Sequence, residues 1–155
     1  MGSLYRSQHE LVFIYKHGNK PHTNNILLGR YGRNRTNVWY HPSANMTRQG
    51  RKALQNHPTP KPVPLVMDII KDSTQIGERV LDPFLGSGTT LLAAEKTRRY
   101  CMGIEIDPLY VDLSIRRWQE LTKKDAIHVG SGLTFAAKEQ GLKAPKRIRE
   151  RKHGS

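Results

Sequence analysis

The second half of the chain predicts an α/β fold, a parallel or mixed sheet with helices crossing between its strands. Three observations carry that expectation. Arg79-Val-Leu-Asp82 and Tyr100-Cys-Met-Gly-Ile-Glu105 are short apolar runs, and the stretch between them, Thr89 to Lys96, consists of good helix formers. Strand, helix and strand in that order form a crossover unit, which calls for parallel strands. Gly86 and Gly88 stand where the first strand gives way to the helix, and Glu105 closes the second strand 19 residues after Gly86.

The elements follow in order. Glu10-Leu-Val-Phe-Ile-Tyr-Lys16 is rich in β-branched and aromatic residues and stops at His17-Gly18-Asn19, so it is predicted as a strand. From about Lys20 to Asn56, Gly, Asn, Arg and Pro dominate and apolar periodicity is lost, which predicts a loop with one short strand around Val38-Trp39-Tyr40. After Pro58 and Pro62 a helix is predicted from Val63, with Leu65, Val66, Ile69 and Ile70 on one face. Pro62 or Pro64 suits its first turn, where a missing N–H costs nothing. Ile76-Gly77 ends that unit, and the strand, glycine loop, helix and strand follow. Asp107-Pro108 opens another helix with Val111, Ile115, Trp118 and Leu121 on one face, and Ile127 to Val129 makes a last short strand.

Composition narrows the function classes. The 155 residues hold 26 Lys+Arg against 13 Asp+Glu, a formal charge of +13, which points to a polyanionic partner such as nucleic acid. Six of those cations lie in the tail from Lys143 to Lys152, and a solvated basic arm with ordinary charged helix faces is a serious competing explanation, with nucleic acid somewhat favoured. No apolar run approaches the roughly 18–20 residues of a membrane span, and the N-terminus lacks a signal-like apolar region. The single Cys101 cannot form an internal disulfide, and no Cys/His cluster has zinc-ligand spacing, so a reducing cytosol is the expected compartment.

The glycines describe a site. At a strand-to-helix turn the helix offers free N–H donors, and glycine lets a ligand approach the backbone closely. An acid about 20 residues on sits where it can reach the ribose hydroxyls of a bound nucleoside. The third position of a dinucleotide fingerprint is occupied by Leu91, and no Gly-Lys-Ser/Thr of a phosphate-binding loop occurs. Asp82 beside the loop would repel a pyrophosphate but suit an ammonium group. S-adenosylmethionine, with an ammonium, a sulfonium, a ribose and no phosphate, fits that set best. A plain tight turn with a solvated Glu105 is the minority alternative.

At these residues the chain resembles bacterial and phage DNA methyltransferases that modify exocyclic amino groups, in their circularly permuted β-type order. Asp82-Pro-Phe84-Leu-Gly86-Ser-Gly88-Thr89-Thr is similar to their cofactor loop, and Gly103 to Tyr110 to the acidic strand end that takes the ribose. His57-Pro-Thr59-Pro-Lys61-Pro looks like the segment whose Thr and Lys neighbour the methionine carboxylate. Arg6 to Lys16 is similar to the strand before their target-recognition region. The resemblance implies S-adenosylmethionine as cofactor, DNA as partner, and transfer to adenine, less readily cytosine. Its binding set is Thr59, Lys61, Asp82, Phe84, Gly86, Gly88, Thr89 and Glu105.

One departure shapes the expectation. The family's Asp/Asn/Ser-Pro-Pro-aromatic tetrapeptide, whose polar group accepts from the target amine and whose ring stacks on the flipped base, does not occur in this sequence. No catalytic residue is therefore named, and an incomplete methyltransferase (Rossmann-like) sheet is expected, the C-terminal part of an enzyme whose catalytic half precedes Met1. The implied division is a strand of the catalytic half over 1–19 and a target-recognition segment over 20–56. A cofactor-binding α/β domain over 57–135 and a basic tail over 136–155 complete it. Alternatives stay open: a non-catalytic DNA- or cofactor-binding remnant, a subunit completed in trans by a chain carrying the missing half, and, distantly, a nucleotide-dependent oxidoreductase. Trp39 and Tyr40, among Arg33, Arg35 and Arg48, are read equally as a base-contacting surface or as packing, Trp118 as core, and Arg116 and Arg117 as solvated. Cys101 is read as a buried small hydrophobe, and His9, His41, His57 and His128 as structural.

Overall fold

The fold is described from a computed structural model, for residue 4 and residues 9–32, 34–42 and 61–143. Helix α1 (Val63–Ser73) starts from Pro62, with Pro64 inside its first turn. It turns Val63, Val66, Met67 and Ile70 inward, spaced i, i+3, i+4, i+7 along one face. The stripe is rotated from the predicted one: Leu65 and Ile69, half-buried like Val63, Val66 and Met67, do not join them in packing against the core of Ile70, Ala93 and Ala94. The helix ends where Thr74 donates both its N–H (3.0 Å) and its hydroxyl (2.5 Å) to the Ile70 carbonyl.

Strands β1 (Arg79–Asp82) and β2 (Tyr100–Gly103) pair in parallel, with Val80 opposite Cys101 and Asp82 opposite Gly103. Helix α2 (Thr89–Lys96) crosses between them and presents Ala93 and Ala94, both fully buried, to Ile70 of α1 and to Val80 and Cys101 of the sheet. Two methyl side chains at that point let helix and sheet approach closely. Arg99 then stitches the unit together. Its guanidinium donates to the Thr74 hydroxyl (3.0 Å), the Thr74 carbonyl (2.7 Å) and the Thr97 carbonyl (2.5 Å).

Helix α3 (Pro108–Thr122) has Asp107 as its cap, whose carboxylate accepts from the Leu109 N–H at 2.9 Å, and Pro108 at its first position. The predicted face of Val111, Ile115, Trp118 and Leu121 is half-buried, and its deepest residue is Ser114. The Trp118 indole donates to the Glu95 carboxylate of α2 at 3.1 Å. A short helix α4 (Phe135–Lys143) follows, held by Arg116, which pairs with Glu139 and lies 4.9 Å over the Phe135 ring. That helix occupies residues assigned to the tail, because Thr134 pairs with Ile127 and caps the new turn through Ala137.

Other strand expectations are corrected. Residues 10–16 form no strand and are exposed (Ile14 at 89%), because no strand among the described residues runs beside them to take their N–H and C=O groups. Residues 38–40 form no strand but follow a bend at Asn37, across which the Thr36 hydroxyl donates to the Val38 carbonyl and the Trp39 indole to the Thr36 carbonyl. Ile127 makes one antiparallel bridge, closed at once by the turn that His128 ties to Ser131. The second strand stops at Gly103, before Glu105.

The described part of 20–56 is irregular as expected, with a single 3-10 turn at Arg30–Gly32. It is nevertheless anchored. The Asn25 amide donates to the Lys71 and Thr74 carbonyls, both at 2.8 Å, and Arg35 pairs with Asp72 (2.7 Å) and Asp68 (3.2 Å) of α1. On the sheet, α1 and α2 cover the face of Val80 and Cys101. The opposite face leaves Leu81, Tyr100 and Met102 more than half exposed, although a parallel sheet is normally covered on both sides.

Candidate functional site

The carboxyl ends of the two strands are held together beyond the ladder itself. The Ile104 N–H donates to the Asp82 carbonyl and the Leu85 N–H to the Ile104 carbonyl, both at 2.9 Å. The first half of the loop after β1 is thereby sewn to the chain leaving β2. Asp82 accepts from the Phe84 N–H at 3.0 Å, a local turn that folds its carboxylate over the start of the loop.

Glu105 joins the two halves of the predicted site. One oxygen accepts from the Gly86 N–H at 2.6 Å, and the other accepts from the Ile106 and Asp107 N–H groups, each at 2.9 Å. Hydrogen bonds to an ionised acceptor are short and strong, so the carboxylate is fixed in orientation between loop and strand end. The 19-residue spacing read from the sequence is thus a direct contact.

Gly86 (φ 53°) and Gly88 (φ 81°) both lie in the left-handed region that favours glycine. At Gly88 a second reason appears. A Cβ there would stand 2.7 Å from the Cβ of Ser114 on α3. Glycine at this position therefore answers to the packing behind the loop as well as to the ligand approach expected from the sequence. Gly88 also caps α2 without a side chain, and the first-turn amides of a helix have no intrahelical partner.

The remaining site residues divide. Thr89 is buried, its hydroxyl 3.5 Å from the Lys61 carbonyl. Lys61 thus meets the loop through its backbone, while its ammonium pairs with Glu10. Phe84 is 87% exposed on the rim, and Thr59 lies outside the described residues. The structure brings Asp82, Gly86, Gly88, Thr89 and Glu105 together.

Sequence reasoning missed Arg117. Its guanidinium donates to the carbonyl of Ser87 and, at 3.0 Å, to the Ser87 hydroxyl, and Ser87 itself is buried. The expectation of a solvated side chain is overturned because residue 117 stands one turn after Ser114, on the side of α3 that faces the loop. Burial pushes this guanidinium below its ordinary value, partly offset by the Glu120 carboxylate. The signal available in the sequence was weak, a small Ser within an apolar helical stripe with an Arg three positions on.

Trp39 resolves toward packing, its ring 4.2 Å under the Arg35 guanidinium, whereas Tyr40 is 91% exposed. Burial, reinforced by the Asp82 carboxylate, pushes the Cys101 thiol up to about 11, as suits a thiol that packs and does not react.

Residues 3–116 match the N6/N4 family model described as DNA methylase. Among curated proteins, the chain is 35% identical over 115 residues to the type II methyltransferase M2.MboI of Moraxella bovis, covering 72% of this chain and 41% of that one. It is 36% identical over 111 residues to the DNA adenine methyltransferase YhdJ of Escherichia coli, covering 72% and 34%. The chain thus spans less than half the length of these relatives. Among solved structures it is similar to the M1.HpyAVI–SAM complex, at 42% identity over 40% of this chain and 30% of that one, with a TM-score of 0.39.

Proposed function

The chain belongs to the N6/N4 DNA methylase family, and from that membership we propose that it is the cofactor-binding portion of a site-specific DNA methyltransferase. Its cofactor is S-adenosylmethionine and its target an exocyclic amine of DNA, adenine before cytosine. The observation that carries the reading is the Glu105 carboxylate bonded to the Gly86 amide, with Asp82 at the head of the same loop.

The donor set suits that cofactor. Asp82 faces the methionine ammonium, and Glu105 takes the ribose hydroxyls, which share or displace the Gly86 amide on its oxygen. Gly86, Gly88 and Thr89 form the floor at the start of α2, Phe84 flanks the cofactor from the rim, and Thr59 and Lys61 serve the methionine carboxylate. Two carboxylates around the loop oppose a pyrophosphate, which counts against a dinucleotide. S-adenosylmethionine supplies an electrophilic methyl group on a sulfonium. The work of this chain is to hold that methyl in line for an amine presented by residues outside it.

The charge of +13 supports DNA as the partner, and the basic tail adds salt-sensitive, sequence-independent affinity. The bare sheet face of Leu81, Tyr100 and Met102 supports a portion that is completed by further chain, in cis or as a separate subunit. A cytoplasmic setting accords with these partners, and no described helix is long and apolar enough to cross a membrane.

The test is equilibrium binding of S-adenosylmethionine, with NAD in parallel and Glu105→Ala as control. Selective binding that is lost in the variant is expected. Unchanged affinity in Glu105→Ala sinks the ribose assignment, and preference for NAD revives the oxidoreductase. Methyl transfer to DNA by the 155-residue chain alone would refute the reading of a cofactor-binding portion.

A further inference from the structure

We propose that Arg117 is a positioning residue for the cofactor loop, acting through Ser87 from behind; the inference rests on the reading of that loop as the S-adenosylmethionine site. Two contacts from α3 reach the loop, three residues apart on one helix and on successive loop residues. Ser114 stands behind Gly88 with no room for a Cβ, and Arg117 donates to both the carbonyl and the hydroxyl of Ser87.

The physical need is specific. A loop that receives a ligand against its backbone must hold its peptide groups in one orientation, since that orientation fixes which polar groups the ligand meets. Gly86 and Gly88 leave the Ser87 peptide units freer to rotate than any other residue type would. The Leu85–Gly86 peptide is tied through the Gly86 N–H to Glu105, and the Gly88 N–H, which shares one planar peptide with the Ser87 carbonyl, donates to the Leu85 carbonyl at 3.0 Å. Arg117 holds that same Ser87–Gly88 peptide from its carbonyl end and adds the Ser87 hydroxyl. By drawing the Ser87 carbonyl and hydroxyl to the α3 side, it keeps both acceptors off the face that Asp82 and Glu105 border. One terminal nitrogen of the guanidinium, Nη1, reaches both oxygens, its two hydrogens serving one each. Trp118, the next residue, anchors α3 to α2 through Glu95, so the helix that carries the clamp is itself held to the helix that follows the loop.

The experiment compares the wild-type chain, Arg117→Ala and Arg117→Lys by S-adenosylmethionine binding, thermal melting and amide hydrogen exchange at Ser87, Gly88 and Thr89 without cofactor. Arg117→Ala is expected to bind about tenfold more weakly, the equivalent of ~1.4 kcal/mol, and to exchange faster at those amides while the amides of Ala93 and Ala94 keep their protection. Arg117→Lys, which keeps a cationic nitrogen donor on a shorter side chain, is expected to recover part of both losses. Wild-type affinity together with wild-type exchange in Arg117→Ala overturns the proposal. Faster exchange spread evenly over α2 also overturns it, since that marks general loss of stability. A wild-type chain that does not bind S-adenosylmethionine overturns the cofactor reading and the positioning role with it. A wild-type chain that binds alongside an unaffected Arg117→Ala overturns the positioning role alone.

Discussion

Replacing Gly88 by Ala separates two costs that the structure places at one residue. The first is conformational, because at φ 81° a non-glycine residue is disfavoured by about 1–2 kcal/mol. The second is steric, because the new Cβ would lie 2.7 Å from the Ser114 Cβ and 3.1 Å from its Cα, and helix backbone yields little. Overpacking of that kind costs about 1–3 kcal/mol, so the sum is about 2–5 kcal/mol. Gly77→Ala isolates the first cost, since Gly77 has φ 82° with nothing within 4 Å of a Cβ. Ser114→Gly removes the nearer of the two obstacles, the Cβ but not the Cα, and should return most of the steric part and none of the conformational part in the double variant, a coupling of about 1–3 kcal/mol. Urea titrations followed by circular dichroism measure all four, with unchanged slope as the condition for comparing midpoints. If Gly88→Ala costs no more than Gly77→Ala, or if Gly88→Ala and Ser114→Gly are additive, α3 does not press on the loop and the account of its back wall is wrong.

Further expectations follow from other contacts. Glu105→Gln keeps the size of the side chain but weakens the bonds from Gly86, Ile106 and Asp107, so those amides should exchange faster in the unliganded chain; unchanged exchange would show that the carboxylate does not hold the loop. Arg35→Ala removes two ion pairs and the stacking on Trp39, and the 25–41 segment should become more susceptible to proteolysis at a cost of about 1–2 kcal/mol; unaltered cleavage would show that Asn25 anchors it unaided. The Cys101 thiol, raised from 9.0 to about 11 in the folded chain, should react slowly with thiol reagents at pH 8. Its unfolded form loses the proton first, so its contribution to stability is whole below pH 9 and declines as pH rises toward 11. Cys101→Val should flatten that part of a melting-temperature profile, and an identical profile would exclude the effect.

The legible part of the chain was the part whose structure is decided by neighbours in sequence. The run Arg79 to Asp82, the helix formers from Thr89, the pair Gly86 and Gly88, and Asp107-Pro108 each carry a local signal, and each element formed where that signal stood. Glu105 was also legible, because a crossover of fixed length brings the two strand ends side by side. The strand expected over 10–16 had the right composition but no partner among the described residues, and a strand exists only through the groups of another.

By itself, the sequence determined an α/β crossover unit with a glycine loop and two flanking carboxylates, and it carried the family motifs. Tertiary structure alone decided which face of α1 meets Ala93 and Ala94, that Trp39 lies under Arg35, and that Gly88 and Ser87 are backed by Ser114 and Arg117 of a helix about 30 residues away. Periodicity reports which side of an element is apolar, whereas a contact across the fold depends on how two elements cross, and no short stretch of sequence holds that angle.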